Sequence, residues 1–489
     1  LLPLRASTPR RTHSSAPTAT ATTTPPVAAS EEAGENAGEA EDPTVAVHVR
    51  DFDGVRAKAE GAMMAEAVDE AAAGNAAATE GGASAATRAV YAGDRFKGRK
   101  ERLATLDAIA TPVVMSATFT FKNTAQCVMY NSGEYPSFEY GRYGNPTTRA
   151  AELKIAALDR AEDAVVSASG MNSVTTMMLA LVPAGGHIIT TTDCYRRTRQ
   201  FVATVLPKMG IRMSVIDPAD TAALEAAIAS HNGADLYFSE SPTNPLIRLV
   251  DVPAVVAICR KHSVLTCIDT TFTTPINYTP VTRGVDLVLH SGTKYLAGHN
   301  DVLCGALAGR ADLIAKIRAL QGVLGGVVDP HAAYLLLRGL KTLHLRVAQH
   351  NANATALAKF LSTHPKIAKV HHPSLHSHPD RAVALAEYAP GDAFGGVLSF
   401  ELLGDGDAWS TETFEAAGRF VDGLTLAYIG PSLGGVESIV EQVCIMGYFD
   451  QPLSIRKGLG ISNGLVRLSC GVEDTDDLVK DVARALENV

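Results

Sequence analysis

Between residues 187 and 292, short apolar runs that end in turn residues alternate with segments of helical periodicity, and this alternation narrows the choice of fold more than any other feature of the chain. The runs are HIITTTD (187–193), RMSVIDP (212–218), DLYFSESP (235–242), LTCIDTT (265–271) and DLVLHSG (286–292). Between them, CYRRTRQFVATVLPKM, TAALEAAIASH and VPAVVAICRKHS have helix length and carry apolar residues at three- and four-residue spacing. Strand and helix in such alternation predict an α/β fold with a mainly parallel sheet covered on both faces. From about residue 345, helical RVAQHNANATALAKFLSTH and strand-like GGVLSFEL predict a smaller C-terminal α/β domain. The expected organisation is a segment over 86–147, a large domain over 148–344, a small domain over 345–489, and a cleft between the two domains.

Composition bounds what such a chain can do. Against 43 Lys and Arg stand 52 Asp and Glu, a formal charge of −9, whereas nucleic-acid and anionic-membrane binders show a basic excess. No stretch approaches the roughly 18 consecutive apolar residues of a membrane-spanning helix. Seven cysteines without a C-x-x-C pair predict reduced thiols rather than a disulfide framework or a zinc site. The first thirty residues are rich in Ser, Thr, Ala and Pro, carry Arg5, Arg10 and Arg11, and contain no Asp or Glu, which is the chemistry of a transit peptide. From Glu31 to about Ala85 the chain is acidic and Ala/Gly-rich, so residues 1–85 are expected to be mostly disordered.

In an open parallel sheet, ligands bind beyond the carboxyl ends of the strands. LTCID delivers Asp269 out of an apolar segment, DLVLHSGTKY delivers Ser291, Thr293 and Lys294, and a third strand ends in Glu240-Ser-Pro-Thr-Asn244-Pro245. A strand-end Asp with a strand-end Lys reads either as a structural ion pair or as a pyridoxal-phosphate site. In the second reading the Lys holds the aldehyde as a Schiff base and the Asp keeps the pyridine nitrogen protonated. A phosphate needs its own cradle, and Ser169-Gly170 before a helix from about Met171 offers one, although the same pair is also a common helix cap.

Here the motifs converge. YGRYGNPTT (140–148), ASGM (168–171), TTDCYR (191–196), ESPTNP (240–245), HSGTKYLAGHND (290–301), RGLKTL (338–343), PSLGGVES (431–438) and LVRLSCGVED (465–474) occur in an order that resembles the Cys/Met-metabolism family of pyridoxal-phosphate enzymes, over about residues 86–489. The resemblance implies the aspartate-aminotransferase-like fold, pyridoxal-phosphate fold type I, and a homo-oligomer, a tetramer built from two catalytic dimers. It implies Lys294 as Schiff-base lysine and proton shuttle, and Asp269 as partner of the pyridine nitrogen. Gly170 and Met171 amides with Ser291 and Thr293 hydroxyls would hold the phosphate, and Tyr140 and Arg142 would reach it from the neighbouring subunit. Tyr195 would stack on the cofactor ring and take part in proton movement. Asn244 would sit near the cofactor's phenolic oxygen and the substrate carboxylate, Ser432 and Arg467 would hold that carboxylate, Arg467 as a bidentate fork, and Glu437 either binds the second amino acid's ammonium or forms a rim salt bridge.

Within the family the likeness is to the plastid synthases that join cysteine to an O-activated homoserine by γ-replacement. The implied partners are small amino-acid substrates, in the plastid stroma. γ-Lyases and homoserine-ester sulfhydrylases share nearly every motif and stand as alternatives, as does a regulatory scaffold on the same fold. This chain departs from relatives at Thr270, where Asn is common, and at Arg196-Arg197, where many bacterial relatives have Gly-Gly. Either arginine could favour a phosphate leaving group, and at most one of them should face the cleft, because successive helical residues diverge by about 100°. His371, His372, His376 and His378 crowd one segment; with no Cys or carboxylate among them, a surface loop is expected rather than a metal site. No G-x-G-x-x-G stands between a strand and a helix, which disfavours dinucleotide binding.

Overall fold

A computed structural model describes residues 83–93, 108–391 and 393–489; the extension over 1–85 falls, up to residue 82, outside the described residues. All five strands expected between 187 and 292 are present. They belong to a seven-stranded sheet of β1 (Asp163–Ser167), β2 (His187–Thr191), β3 (Arg212–Ile216), β4 (Leu236–Glu240), β5 (Leu265–Asp269), β6 (Leu287–His290) and β7 (Gly305–Gly309). The order is β1-β7-β6-β5-β4-β2-β3. Neighbours from β6 to β3 run parallel, while β7 runs antiparallel to both β6 and β1. Burial follows the period of two. Ile189, Tyr237, Ile268 and Val288 enter one core, and Ile188, Leu236, Phe238, Cys267, Leu287 and Leu289 enter another. A strand buried on both faces must be apolar at every position, and for this reason these segments read as continuous runs.

The second sheet contains β8 (Ile367–His371), β9 (Val397–Leu402), β10 (Tyr428–Ile429), β11 (Ile439–Gln442) and β12 (Leu465–Ser469) in the order β10-β11-β12-β9-β8. Only β10–β11 is parallel. The boundary expected at 344/345 falls in the first turn of the helix Leu343–Leu361. This helix serves both cores: Leu343 and Val347 pack with residues of the large sheet's surroundings, Leu357 and Leu361 with β9 and β12. Among the described residues no helix is long and apolar enough to cross a membrane.

The histidine segment differs from the expected surface loop. His371, His372 and His378 are buried and only His376 is exposed. His371 Nε2 bonds Glu401 Oε1 at 3.0 Å, His372 Nδ1 bonds Ser374 Oγ at 2.7 Å, and His378 Nε2 meets the Ile247 carbonyl at 3.1 Å. The rings are used to satisfy buried polar groups, which a count of prolines and histidines does not reveal. All seven cysteines are free thiols, and all but Cys127 are buried.

The small sheet rests on an edge-on contact between Phe400 of β9 and Phe420, both fully buried with ring centroids 5.4 Å apart. Phe420→Ala is expected to destabilise this unit by ~3–5 kcal/mol, by lost transfer energy plus a cavity. Urea unfolding followed by far-UV circular dichroism checks it, and a loss below ~1 kcal/mol would mean that the neighbouring side chains collapse into the space.

Candidate active site

The parallel strands β4, β5 and β6 lie side by side with Glu240 paired to Asp269 and Asp269 paired to Leu289. Their carboxyl ends therefore open onto one place. Beyond β6 the chain turns tightly, the Lys294 amide donating to the Ser291 carbonyl at 3.0 Å. From the small sheet, β12 brings in Arg467. The result is a cavity of ≈ 300 Å³ whose lining includes Gly170, Met171, Asp269, Ser291, Lys294 and Arg467. Tyr195, Asn244 and Thr293 line it as well.

Lys294 Nζ donates to Ser432 Oγ at 2.8 Å. Burial, and then the nearby Arg467 charge, push its pKa down to about 8, with Glu441 opposing. An amine with that proton affinity is half neutral at about pH 8 and already partly neutral near neutrality, whereas an ordinary lysine stays charged until about pH 10. Asp269 Oδ1 accepts from the Thr271 amide at 2.9 Å and from the Thr271 hydroxyl at 2.6 Å. Burial raises the Asp269 pKa, against the Thr271 bonds and the charge of His290. Glu240 is raised well above the carboxylate range by burial and by Asp269 beside it, so Glu240 holds a proton more readily than an exposed carboxyl. Its Oε1 accepts the Tyr195 amide. Behind Asp269, His290 Nε2 bonds the fully buried Asp159 at 2.9 Å.

At the other end of the cavity Ser169 caps the helix Gly170–Leu181, its hydroxyl accepting from the Asn172 amide at 3.0 Å. The first amides of a helix have no intrahelical partner, which suits them to an anion. A Cβ on Gly170 would stand 3.1 Å from Ser291 Oγ, so only glycine leaves the cradle open. Arg467 is almost fully buried. Its Nη1 donates to Asn244 Oδ1 at 3.1 Å and lies 3.2 Å from Glu441 Oε1, while Nη2 donates to the Ser432 carbonyl at 3.0 Å. Its Nε is buried with no partner among the described residues. A lysine of lowered proton affinity, a buried carboxylate and an amide cradle within one cavity fit pyridoxal phosphate, with Lys294 at the aldehyde, Asp269 at the ring nitrogen and the Gly170–Met171 amides at the phosphate.

The other expected residues are placed as follows. Thr293 Oγ1 donates to the Cys304 carbonyl at 3.1 Å and accepts the Cys304 amide at 3.0 Å, so its proton is committed to the backbone. Tyr140 and Arg142 do not line the cavity of their own chain; the Arg142 guanidinium donates to the Gly322 carbonyl and lies over the Tyr143 ring, 4.9 Å from its centroid. Glu437 Oε2 accepts from Asn300 Nδ2 at 2.7 Å and lines an adjoining hollow that shares Thr293 and Pro431 with the cavity. Neither Arg196 nor Arg197 lines the cavity. Arg196 donates to the Gly447 carbonyl at 2.7 Å and to Asp450 Oδ2 at 2.5 Å, and Arg197 donates to Gln200 Oε1 at 2.8 Å.

The roles of three groups escaped sequence reasoning, although one of them, Glu240, is legible there as a strand end. Thr271 both fixes Asp269 and accepts the Ser291 amide at 2.8 Å, tying the carboxylate to the lysine turn; its signal was its place two residues after a strand-end Asp. Glu240 sits next to Asp269 only through strand register. Glu441 stands opposite Arg467 on β11, a pairing that no local pattern announces.

A profile of the Cys/Met metabolism PLP-dependent enzyme family matches residues 86–487. Over 401 residues the chain is 50% identical to cystathionine gamma-synthase 1, chloroplastic, of Nicotiana tabacum, covering 82% of this chain and 71% of that protein. It is 37% identical over 382 residues to L-methionine gamma-lyase of Pseudomonas putida, covering 78% and 93%. Among solved structures it is similar to cystathionine gamma synthase from Xanthomonas oryzae pv. oryzae in complex with aminoacrylate and cysteine, with a TM-score of 0.74, 32% identity, and coverage of 83% of this chain and 98% of that one. These likenesses carry the aspartate-aminotransferase-like fold with them. The chain belongs to the Cys/Met metabolism family of PLP-dependent enzymes, and pyridoxal phosphate is its cofactor.

Proposed function

We propose that this enzyme catalyses γ-replacement, joining L-cysteine to an O-activated homoserine to form cystathionine in methionine biosynthesis. The observation that carries the reading is the single cavity lined by Lys294, Asp269 and Arg467, in which the Lys294 amine is held by Ser432 of the adjoining hollow. The 50% identity to the tobacco synthase favours it over γ-lyase or sulfhydrylase chemistry. The retained Lys294 and Asp269 argue against a scaffold without activity.

Pyridoxal phosphate, when bound, supplies the electron sink for charge developing at the substrate's Cα and Cβ. Asp269, fixed by Thr271, keeps the proton on the ring nitrogen. Lys294 would hold the cofactor until the substrate amine replaces it, and is then placed to move protons, first from Cα and next from Cβ, over the short reach of its side chain. A proton affinity near 8 suits both directions of transfer near neutral pH. Arg467, already held by Asn244 and Glu441, keeps Nε free for the substrate carboxylate, a charge-assisted contact with Ser432 beside it. The Cγ–O bond breaks with its electron pair on the leaving group, the cysteine thiolate forms the Cγ–S bond, and Lys294 is placed to return a proton to Cβ and then to Cα, so that the thiol proton and the leaving-group anion are the net products beside cystathionine. Tyr195, half-exposed at the mouth, is placed to stack on the cofactor and to shield it from water. Glu437 in the adjoining hollow is placed to meet the second substrate's ammonium.

The reading extends to a homotetramer of two catalytic dimers in the plastid stroma. The tobacco and Arabidopsis relatives are named chloroplastic. Tyr140 and Arg142, turned away from their own cavity, would complete the phosphate site of the neighbouring subunit. The leaving group is phosphate, from O-phosphohomoserine. Arg196 is the nearer charge for it, since it directly follows Tyr195; to reach the leaving group it would exchange its bonds to the Gly447 carbonyl and to Asp450 for the phosphate.

Three outcomes follow from these assignments. Acetic anhydride should label Lys294 of the cofactor-free protein with a midpoint near pH 8, because only the neutral amine reacts and burial removes the proton early; a midpoint near 10, read by mass spectrometry, would place Lys294 in water. Mixing inactive Arg142→Ala and Lys294→Ala chains under subunit exchange should restore part of the activity, since one of two shared sites becomes intact, and no recovery despite exchange would sink the shared site. Replacing Arg196 and Arg197 together by Gln should raise KM for O-phosphohomoserine roughly tenfold, the scale of one lost charge-assisted bond, and leave O-succinylhomoserine nearly unchanged. Equal effects on both esters would make the arginines surface charges, and a product other than cystathionine in the presence of cysteine would overturn the γ-replacement itself.

A further inference from the structure

A second cavity, of ≈ 240 Å³, lies between the helix Ala85–Tyr91 and the segments 275–283 and 387–389, and shares no lining residue with the catalytic one. Three arginines line it: Arg88, Arg160 and Arg283. Among the described residues the only acidic one in its lining is Glu387. That carboxylate is already engaged, 3.0 Å from Arg283 Nε and accepting the Tyr278 hydroxyl at 3.1 Å. Two guanidinium charges therefore remain without an anion among the described residues.

Arg88 is only 6% exposed, and its Nε is buried with no hydrogen-bond partner, although Nη1 donates to the Ala83 carbonyl. Burial and then the Arg160 charge lower its proton affinity, as expected for a cation kept from water beside a like charge. A guanidinium that is taken out of water beside a like charge, with one N–H unsatisfied, is unfavourable until an anion joins it. Arg160 is itself exposed, at the C-terminal end of the helix Pro146–Asp159, with φ of 56°. Its side chain makes no hydrogen bond or ion pair among the described residues. Two forked donors facing one small polar cavity match a doubly charged oxyanion in both charge and geometry.

We propose that this cavity binds a dianionic phosphate group, either free or carried as a small monoester, and that the bound anion clamps the Ala85–Tyr91 helix onto the body of the enzyme. The site is independent of the γ-replacement chemistry, since none of its residues touches the catalytic cavity. A ligand that binds only the folded state raises thermal stability in a saturable manner. The full-length holoenzyme is therefore melted in increasing sodium phosphate against sodium chloride of equal ionic strength, and again in glycerol 3-phosphate. The wild type should show a saturable rise in Tm with phosphate and none with chloride. Arg160→Asn, a residue that tolerates positive φ, should raise the half-saturating phosphate concentration roughly tenfold while kcat and KM stay unchanged. Arg88→Met should abolish the phosphate increment. A monoester curve that saturates at lower concentration than inorganic phosphate assigns the site to an esterified phosphate, and the reverse to the free ion. The same phosphate midpoint in wild type and Arg160→Asn, or an equal response to chloride, overturns the site; should Arg88→Met not fold, the Arg160→Asn comparison decides alone.

Discussion

Arg467 is the interaction on which the rest of the site depends. Its guanidinium leaves the small sheet at β12, is almost wholly buried, and finds Asn244 beyond the end of β4, the Ser432 carbonyl and Glu441. A guanidinium taken out of water is tolerated only when such partners surround it. By satisfying it, the two sheets are held across a common cleft. Burial first, and then the same charge, depress the proton affinity of Lys294 and so turn a neighbouring lysine toward a neutral amine. One buried cation thus joins the domains, shapes the cavity and tunes its nucleophile.

The opposite wall is built on a different rule. Parallel pairing brings Glu240 and Asp269 to the same level at the carboxyl edge, where two carboxylates in low dielectric repel. Hydrogen bonds from Thr271 to Asp269, and from the Tyr195 amide to Glu240, offset part of that cost. What remains is a wall that favours positive charge, and on the proposed reading a protonated pyridine nitrogen would supply it. Because Thr271 also accepts the Ser291 amide, the carboxylate and the turn that carries Lys294 are set by a single hydroxyl.

Much of this was legible in the chain. The runs from 187 to 292 announced their strands because burial on both faces requires apolar residues at consecutive positions, and Asp269 and Lys294 stood out because they interrupt such runs at their ends. The histidine segment was misread because burial of an imidazole depends on distant partners, Glu401 and the Ile247 carbonyl, that share no local pattern with it. Glu441 was passed over for the same reason, its meaning arising only opposite Arg467 on the neighbouring strand. Arg196 was legible as a charge beside Tyr195, but its direction was set by Asp450, far along the chain.

By itself, then, the sequence determined the alternating architecture, the family, the cofactor and the residues that end each strand, since these follow from periodicity and from motifs local in the chain. Only the tertiary structure decided which charges share a cavity, which are already paired, and which, like Arg88 and Arg160, are left without an anion among the described residues. The physical reason is that hydrophobic patterning acts over a few neighbouring residues, whereas the energy of a charge depends on everything within several ångströms of it, whatever the separation along the chain.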